Sequence, residues 1–118
     1  MIFCTLFDSY YIAQGLTMID SLLNVNPNCF IHVIAMDEDC YQLLKTKVNE
    51  RVNIISLNEV ENKYPQLRKT KAQRTKPEYY FTSKGFICHY IIQKEKQIDS
   101  ITYLDSDLYF FSDPQSIF

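Results

Sequence analysis

The chain has 118 residues, 47% of them hydrophobic and 22% charged, which predicts a single compact domain over residues 1–118. Its net charge of −2 excludes the basic surplus of a general nucleic-acid-binding domain, so we expect no nucleic-acid partner. No apolar run reaches the roughly 18 residues of a membrane span, and the N-terminus lacks a leader pattern, so we expect a cytoplasmic protein without a membrane span.

Alternating strands and helices are predicted over the first half of the chain. Residues 1–7, 30–36 and 52–57 are apolar runs that suit strands of a buried sheet. The first helix should be capped by Asp8 or Ser9 and should end before Pro27. Its apolar stripe is Ile12, Leu16, Ile19 and Leu23. The second helix should begin with the acids Asp37, Glu38 and Asp39 and carry the stripe Tyr41, Leu44 and Val48.

The second half is less regular. Asn58 is predicted to cap a short helical turn that ends before Pro65. Residues 68–76 carry five positive charges and no acid, which favours a solvated loop over a phosphate-contacting segment. A mostly buried helix should begin near Pro77 and continue to residue 94, and residues 101–107 should return to strand. The order predicts an α/β fold, a Rossmann-like and mostly parallel sheet flanked by helices.

The cysteines and histidines form no recognisable metal-binding or disulfide pattern. The cysteines are far apart and contain no C-x-x-C pair, so we expect reduced and mostly buried thiols. The two histidines lie in apolar contexts and are expected to be packed. These residues are Cys4, Cys29, Cys40, Cys88, His32 and His89.

Ligands of such sheets bind at the carboxyl ends of the strands, so the residues there are the first candidates for a site. A nucleotide fold with a glycine-rich loop is excluded, because Gly15 and Gly85 are the only glycines and neither follows the first strand. If a nucleotide diphosphate binds, its negative charge must be neutralised by something other than the amides of a glycine-rich loop. Mn²⁺ or Mg²⁺ held by carboxylates would supply one.

Asp105 and Asp107 meet this requirement within the apolar run ITYLDSDLYFF. In an extended segment, residues i and i+2 point to the same side, so we expect the two carboxylates to converge on a cation. The triplet 37–39 also reads D-x-D, but acids at a helix start are better explained as caps. Lys84 is the one Lys, Arg, Asp or Glu between residues 79 and 92, so its ammonium should reach a wet cleft or an anion.

The stretch YLDSDLYFFSDP resembles the D-x-D region of GT-A glycosyltransferases, family 8 in particular. The opening strand running into Asp8, Tyr10 and Tyr11 is similar to the start of that family. EYYFTSKGFICHYII resembles the helix before the D-x-D strand, although Gly85 stands where proline is frequent. The resemblance implies the N-terminal, donor-binding half of a GT-A fold.

The resemblance also implies roles for individual residues. Asp107 would be the main metal ligand, and Asp105 would contact the ribose and the metal. Asp8 would accept a hydrogen bond from the nucleobase, Tyr10 or Tyr11 would stack on it, and Lys84 would face the donor. The donor would be a nucleotide-diphosphate sugar, with a UDP-sugar expected first. The sequence assigns no catalytic residue.

The acceptor-binding half and the catalytic groups of that family lie after the D-x-D strand, so we expect a truncated glycosyltransferase that transfers sugar poorly by itself. Its apolar sheet edge is expected to be covered by self-association in a homo-oligomer. Two alternatives are a receiver-like signalling domain and a small non-catalytic interaction domain. The receiver alternative lacks a phosphorylatable aspartate, since the third strand leads into Asn58.

Overall fold

A computed structural model describes residues 1–47, 49–95 and 100–114 of the chain. In chain order the elements are β1 Ile2–Phe7, α1 Ile12–Val25, β2 Phe30–Ala35, α2 Glu38–Lys45, β3 Val52–Ser56, α3 Leu57–Lys63, α4 Pro65–Lys71, α5 Lys76–Lys94 and β4 Thr102–Tyr103. A short 3-10 helix, Ser9–Tyr11, joins β1 to α1. No helix in the described part of the chain has the length and apolar character needed to cross a bilayer.

The four strands form one parallel sheet in the order β3-β2-β1-β4, which confirms the predicted α/β class. β1 lies inside the sheet, and its six residues pair with β2 from Ile2 opposite Phe30 to Phe7 opposite Ala35. The order 3-2-1-4 is that of the Rossmann sheet, whereas receiver-type sheets follow the order 2-1-3-4-5. The topology therefore speaks against the receiver-like alternative.

Two hydrophobic cores lie on opposite faces of the sheet, because successive strand residues point to opposite sides. Phe3 and Phe7 of β1 face the core formed with α1 and α2. Cys4 and Leu6 face the core formed with α3, α4 and α5. β1 and β2 are buried on both faces over five of their six residues, which explains why their sequences are continuous apolar runs.

The predicted apolar stripe of α1 marks the correct helix but only the margin of its buried face. Ile19 is buried, whereas Ile12, Leu16 and Leu23 pack at the border of the core. The centre of the face is formed by Gly15, Met18, Ser21 and Leu22 together with Ile19. In α2, Leu44 is buried as predicted, and Val48 lies outside the described residues.

Helix starts follow local chemistry with one correction. Asp37 caps α2 by accepting a hydrogen bond from the Cys40 amide at 2.7 Å, as predicted. The cap of α3 is Ser56 and not Asn58, because β3 leads directly into the helix and the Ser56 hydroxyl accepts from the Glu59 amide. α5 begins with a capping box formed by Thr75 and Glu78.

The prediction of a loop over residues 68–76 is wrong for its first part, which belongs to α4. Pro65 stands in the first turn of α4, where its missing N–H costs nothing. Leu67 is fully buried and anchors the helix to the core. The basic residues that follow Leu67 suggest a solvated loop, because one large apolar residue beside five positive charges gives no helical pattern.

Candidate functional site

The carboxyl ends of the parallel strands meet at one edge of the sheet, called here the carboxyl edge. Three acids lie there: Asp8 after β1, Asp37 after β2 and Asp105 after β4. Because β1 lies between β2 and β4, Asp8 occupies the middle position. Ligands of parallel α/β sheets bind at this edge.

Asp8 is buried, with 2% of its surface exposed, and both of its carboxylate oxygens have partners. Oδ1 accepts from the amides of Tyr10 and Tyr11 at 3.0 and 3.3 Å, which caps the 3-10 helix. Oδ2 accepts from the Tyr80 hydroxyl at 2.9 Å and lies 3.2 Å from the Lys76 ammonium. A carboxylate accepts about four hydrogen bonds, and these four partners fill those positions. A ligand donor would therefore have to replace one of them, and Lys76 is the more exposed of the two side-chain donors.

Tyr80 and Lys76 were missed as partners of Asp8, since no periodicity or motif in the sequence connects them. Burial raises the pKa of the Tyr80 phenol, and its hydrogen bond to Asp8 raises it further. Tyr80 is therefore a fixed donor to Asp8. Lys76 also lies 5.8 Å from the centre of the Tyr80 ring.

Tyr10 and Tyr11 are accessible at this edge. Tyr10 is 82% exposed and Tyr11 about half exposed, and their rings meet edge to face at 5.1 Å. Their backbone amides are held by Asp8 while their rings stay at the surface. Such rings offer a face to a planar ligand group.

Asp37 ties the start of α2 to the loop after β1. Its Oδ2 accepts from the Ser9 amide and hydroxyl at 3.1 and 2.8 Å, in addition to the cap at Cys40. Partial burial opposes ionisation, but these hydrogen bonds outweigh it and lower the pKa of Asp37. The interpretation of the 37–39 triplet as a helix cap is confirmed at Asp37.

A cavity of about 290 Å³ opens at the carboxyl edge beside α5. Its cationic lining comes from Lys71, Arg74 and Lys76, and Tyr79 and Tyr80 contribute aromatic walls. Two of these cations already pair with buried acids, Lys71 with Glu61 and Lys76 with Asp8. The phosphate-contacting interpretation of the basic run stays a prediction.

Lys84 and Asp105, predicted independently, lie together. Lys84 Nζ is 3.4 Å from Asp105 Oδ1 and 4.9 Å from the centre of the Tyr103 ring. The side chain of Asp105 is 63% exposed, so this ion pair contributes little stability. The expectation that the Lys84 ammonium reaches an anion is confirmed, and that anion is a side chain of the chain itself.

The prediction of an extended strand through residue 107 is wrong, because β4 ends at Tyr103. The Leu108 amide donates to the Asp105 carbonyl at 3.3 Å and closes a turn over Ser106 and Asp107. The rule that residues i and i+2 point to the same side holds for strands and does not apply to this turn.

The two carboxylates of the D-x-D motif have different neighbours. Asp105 contacts Lys84 of α5, whereas Asp107 is exposed and borders a cavity of about 270 Å³ with Gln14 and Thr17 of α1. α1 and α5 cover opposite faces of the sheet. The sequence predicts that the two carboxylates converge. The described residues show no contact between them and no neighbour that they share.

The chemistry of the two acids nevertheless fits a hard divalent cation. Mg²⁺ keeps several waters and is commonly held by one or two carboxylates together with substrate phosphates. Asp105 and Asp107 are both exposed and offer such oxygens. Within residues 1–47, 49–95 and 100–114, no group of three or more His, Cys, Asp or Glu side chains is arranged to hold a metal ion. The assignment of Asp105 and Asp107 as ligands stays a prediction.

Two curated relatives match nearly the whole chain. It is 28% identical over 116 residues to the uncharacterized protein YfnF of Bacillus subtilis strain 168, and 33% identical over 116 residues to the uncharacterized protein YfnD of the same strain. Each match covers 98% of this chain but only 38% and 37% of the relatives, so the chain spans little more than a third of their length. No protein-family model matches.

Solved structures of LgtC share the fold. A crystal structure of an active-site mutant of LgtC matches with a TM-score of 0.56, and one of the galactosyltransferase LgtC with donor and acceptor sugar analogues matches with 0.55. Both matches have 15% sequence identity and cover 99% of this chain and 41% of LgtC. The chain thus has a mixed α/β fold, a four-stranded parallel sheet flanked by helices, similar to that of a GT-A glycosyltransferase.

Proposed function

We propose that this chain binds a nucleotide-diphosphate sugar, with a UDP-sugar expected first, as the donor-binding part of a hexosyltransferase-like glycosyltransferase. The observation that carries the proposal is the LgtC-like fold over 99% of the chain, combined with a D-x-D motif at the carboxyl end of β4. At 15% identity this similarity supports the fold, and the motif supports the donor.

Asp105 and Asp107 would hold Mn²⁺ or Mg²⁺, which neutralises diphosphate charge when bound. Lys84 lies beside Asp105 in an exposed and weak ion pair, so a diphosphate can attract its ammonium at little cost. Lys71 and Arg74 line the cavity beside α5 at the same edge of the sheet, where Arg74 would add positive charge and Lys71 pairs with Glu61. Together these side chains compensate for the missing glycine-rich loop.

Asp8 with Tyr10 or Tyr11 would bind the nucleobase. A base N–H would replace the Lys76 ammonium at Asp8 Oδ2, while Tyr80 keeps the carboxylate in position. The exposed tyrosine rings would stack on the base. Sugar transfer by this chain alone is expected to be weak, since the acceptor would be bound by other residues.

The proposal is tested by calorimetric titration of UDP and GDP, each with and without Mn²⁺, into the wild-type chain. We expect UDP binding that depends on Mn²⁺ and that falls at least about tenfold, or about 1.4 kcal/mol, in Asp107→Ala. The loss follows from removal of a metal ligand without any change in the core, because Asp107 is exposed.

Asp39→Ala is the matched control. Asp39 is also an exposed acid in a D-x-D triplet, but it belongs to the capping region of α2. This variant should bind UDP as the wild type does. Binding without metal, or equal binding by wild type and Asp107→Ala, would show that the D-x-D motif is not the metal site.

A further inference from the structure

Two cysteines from distant parts of the chain lie in contact. Cys4 Sγ of β1 is 3.7 Å from Cys88 Sγ of α5, across 84 positions of sequence. Cys4 is fully buried and Cys88 partly exposed, and both are free thiols. The other thiols are buried elsewhere, and the thiol of Cys40 donates to the Phe7 carbonyl at 3.5 Å.

The two thiols differ in reactivity. The hydrogen bond shared with Cys4 lowers the pKa of Cys88, although burial opposes this shift. The same contact, together with burial, raises the pKa of Cys4. Cys88 is the sulfur that an oxidant in solvent can reach, and Cys4 is the neighbouring buried thiol that can react with an oxidised Cys88.

The thiol pair lies directly beside the candidate donor site. Cys88 follows Lys84 by one turn of α5, so both residues are on the same face of that helix. Cys4 pairs with Tyr103 in the sheet, and its carbonyl accepts from the Leu104 amide at 2.8 Å, one residue before Asp105. Cys88 is thus one helical turn from Lys84, and the backbone of Cys4 is hydrogen-bonded to the residue before Asp105.

We propose that Cys4 and Cys88 are an oxidant-responsive pair that closes to a disulfide joining β1 to α5. A hydroperoxide such as H₂O₂ supplies the oxidant. The Cys88 thiolate attacks the peroxide, the O–O bond breaks, and hydroxide leaves, which gives a sulfenic acid on Cys88. The Cys4 thiol then attacks the Cys88 sulfur, the S–O bond breaks, and water leaves with the Cys4 proton. Two electrons have passed from the two thiols to the peroxide.

Closure would change the candidate donor site. The sulfurs must approach from 3.7 Å to about 2 Å, and we expect α5 to shift toward β1 at the level of Cys88. Lys84 moves with the helix, while Asp105 remains joined to β4. We therefore expect the oxidised chain to bind a nucleoside diphosphate more weakly. This consequence rests on the proposed function, whereas disulfide formation does not.

Disulfide formation is tested on the purified chain with a small excess of H₂O₂, followed by N-ethylmaleimide labelling under denaturing conditions. Digestion with trypsin and an Asp-specific protease places each cysteine in its own peptide, over residues 1–7, 20–36, 39–45 and 85–94. We expect residues 1–7 joined to 85–94, with labels only on Cys29 and Cys40. Dithiothreitol should restore all four labels. Cys88→Ser should give no cross-link, and Cys29→Ala should retain it.

Full labelling of all four cysteines after peroxide, or a different pairing, would overturn the proposal, and the wild-type peptides decide this without any variant. UDP titration with Mn²⁺ then compares the reduced and oxidised chains. Binding that is at least threefold weaker after oxidation, is restored by dithiothreitol and is unaffected by peroxide in Cys88→Ser supports the regulatory role. A cross-link with unchanged binding refutes that role. A cross-linked chain whose reduced form never binds UDP refutes the donor site and leaves the thiol pair standing.

Discussion

Tyr79 and Tyr90 show at the scale of single residues how burial decides the value of a hydrogen bond. Both lie on α5, and both hydroxyls donate to a glutamate of α3. Tyr79 donates at 2.5 Å to Glu61, which is buried, whereas Tyr90 donates to Glu59, which is partly exposed. Without the Tyr79 hydroxyl, Glu61 Oε2 keeps, among the described residues, only the longer 3.4 Å contact to the half-exposed Lys71 ammonium. Loss of a short hydrogen bond costs more at a buried carboxylate than at an exposed one, where water replaces the lost donor.

Tyr79→Phe is therefore expected to lower the free energy of unfolding by about 1–3 kcal/mol. Tyr90→Phe, the matched control, should change it by no more than about 0.5 kcal/mol, because water replaces its hydroxyl at Glu59. Urea unfolding followed by circular dichroism measures both. An equal decrease in the free energy of unfolding in the two variants would mean that the buried hydrogen bond to Glu61 stabilises the fold no more than the exposed one to Glu59.

At the scale of elements, two glycines test how α1 and α5 contact their surroundings. A Cβ added at Gly15 of α1 would lie 2.3 Å from a ring carbon of Phe7, which is buried. A Cβ added at Gly85 of α5 would meet no atom within 4 Å among the residues that the structure describes. Gly15 therefore lets α1 approach β1 closely, while Gly85 has no packing role.

Gly85→Ala should stabilise the chain by about 0.5–1 kcal/mol, since alanine is the better helix former. Gly15→Ala should have the opposite sign and destabilise by about 1–2 kcal/mol, because overpacking of the core outweighs the gain in helix propensity. Urea unfolding of both variants checks the signs. A stabilised Gly15→Ala would show that Phe7 moves aside without cost.

At the scale of the whole molecule, several aromatic side chains stay at the surface. Phe81, Tyr109 and Phe111 are each more than half exposed, and the rings of Tyr109 and Phe111 lie 4.8 Å apart. Exposed apolar patches are often interaction surfaces. The self-association through the apolar sheet edge that the sequence predicts stays a prediction. Because β4 is an edge strand, we expect the exposed rings that follow it to take part.

Sedimentation velocity over a range of concentrations tests that prediction. We expect the wild-type chain to shift toward a dimer as its concentration rises, and Phe111→Ser to stay monomeric over the same range. Leu43→Ser is the control, because Leu43 is half exposed on α2 and lies away from this segment. A wild-type chain that remains monomeric throughout contradicts self-association.

The sequence alone was sufficient for the parallel α/β fold, because strand and helix periodicity and caps such as Asp37 depend on residues close together in the chain. It also identified the edge where Asp8 and Asp105 lie. It failed at α4, where burial of Leu67 against distant residues decides the structure, and at residues 105–108, where a local turn replaces the expected extended D-x-D strand.

Only the tertiary structure decided which side chains meet at the carboxyl edge. Asp8 with Tyr80 and Cys4 with Cys88 are contacts across 72 and 84 positions, and Lys84 with Asp105 joins a helix to the end of a strand. Such pairs depend on how α5 packs across the sheet, which is set by the combined burial of both cores and not by any local pattern. The chain's sequence thus determined its elements and the edge where they present polar groups, and packing determined which of those groups act together.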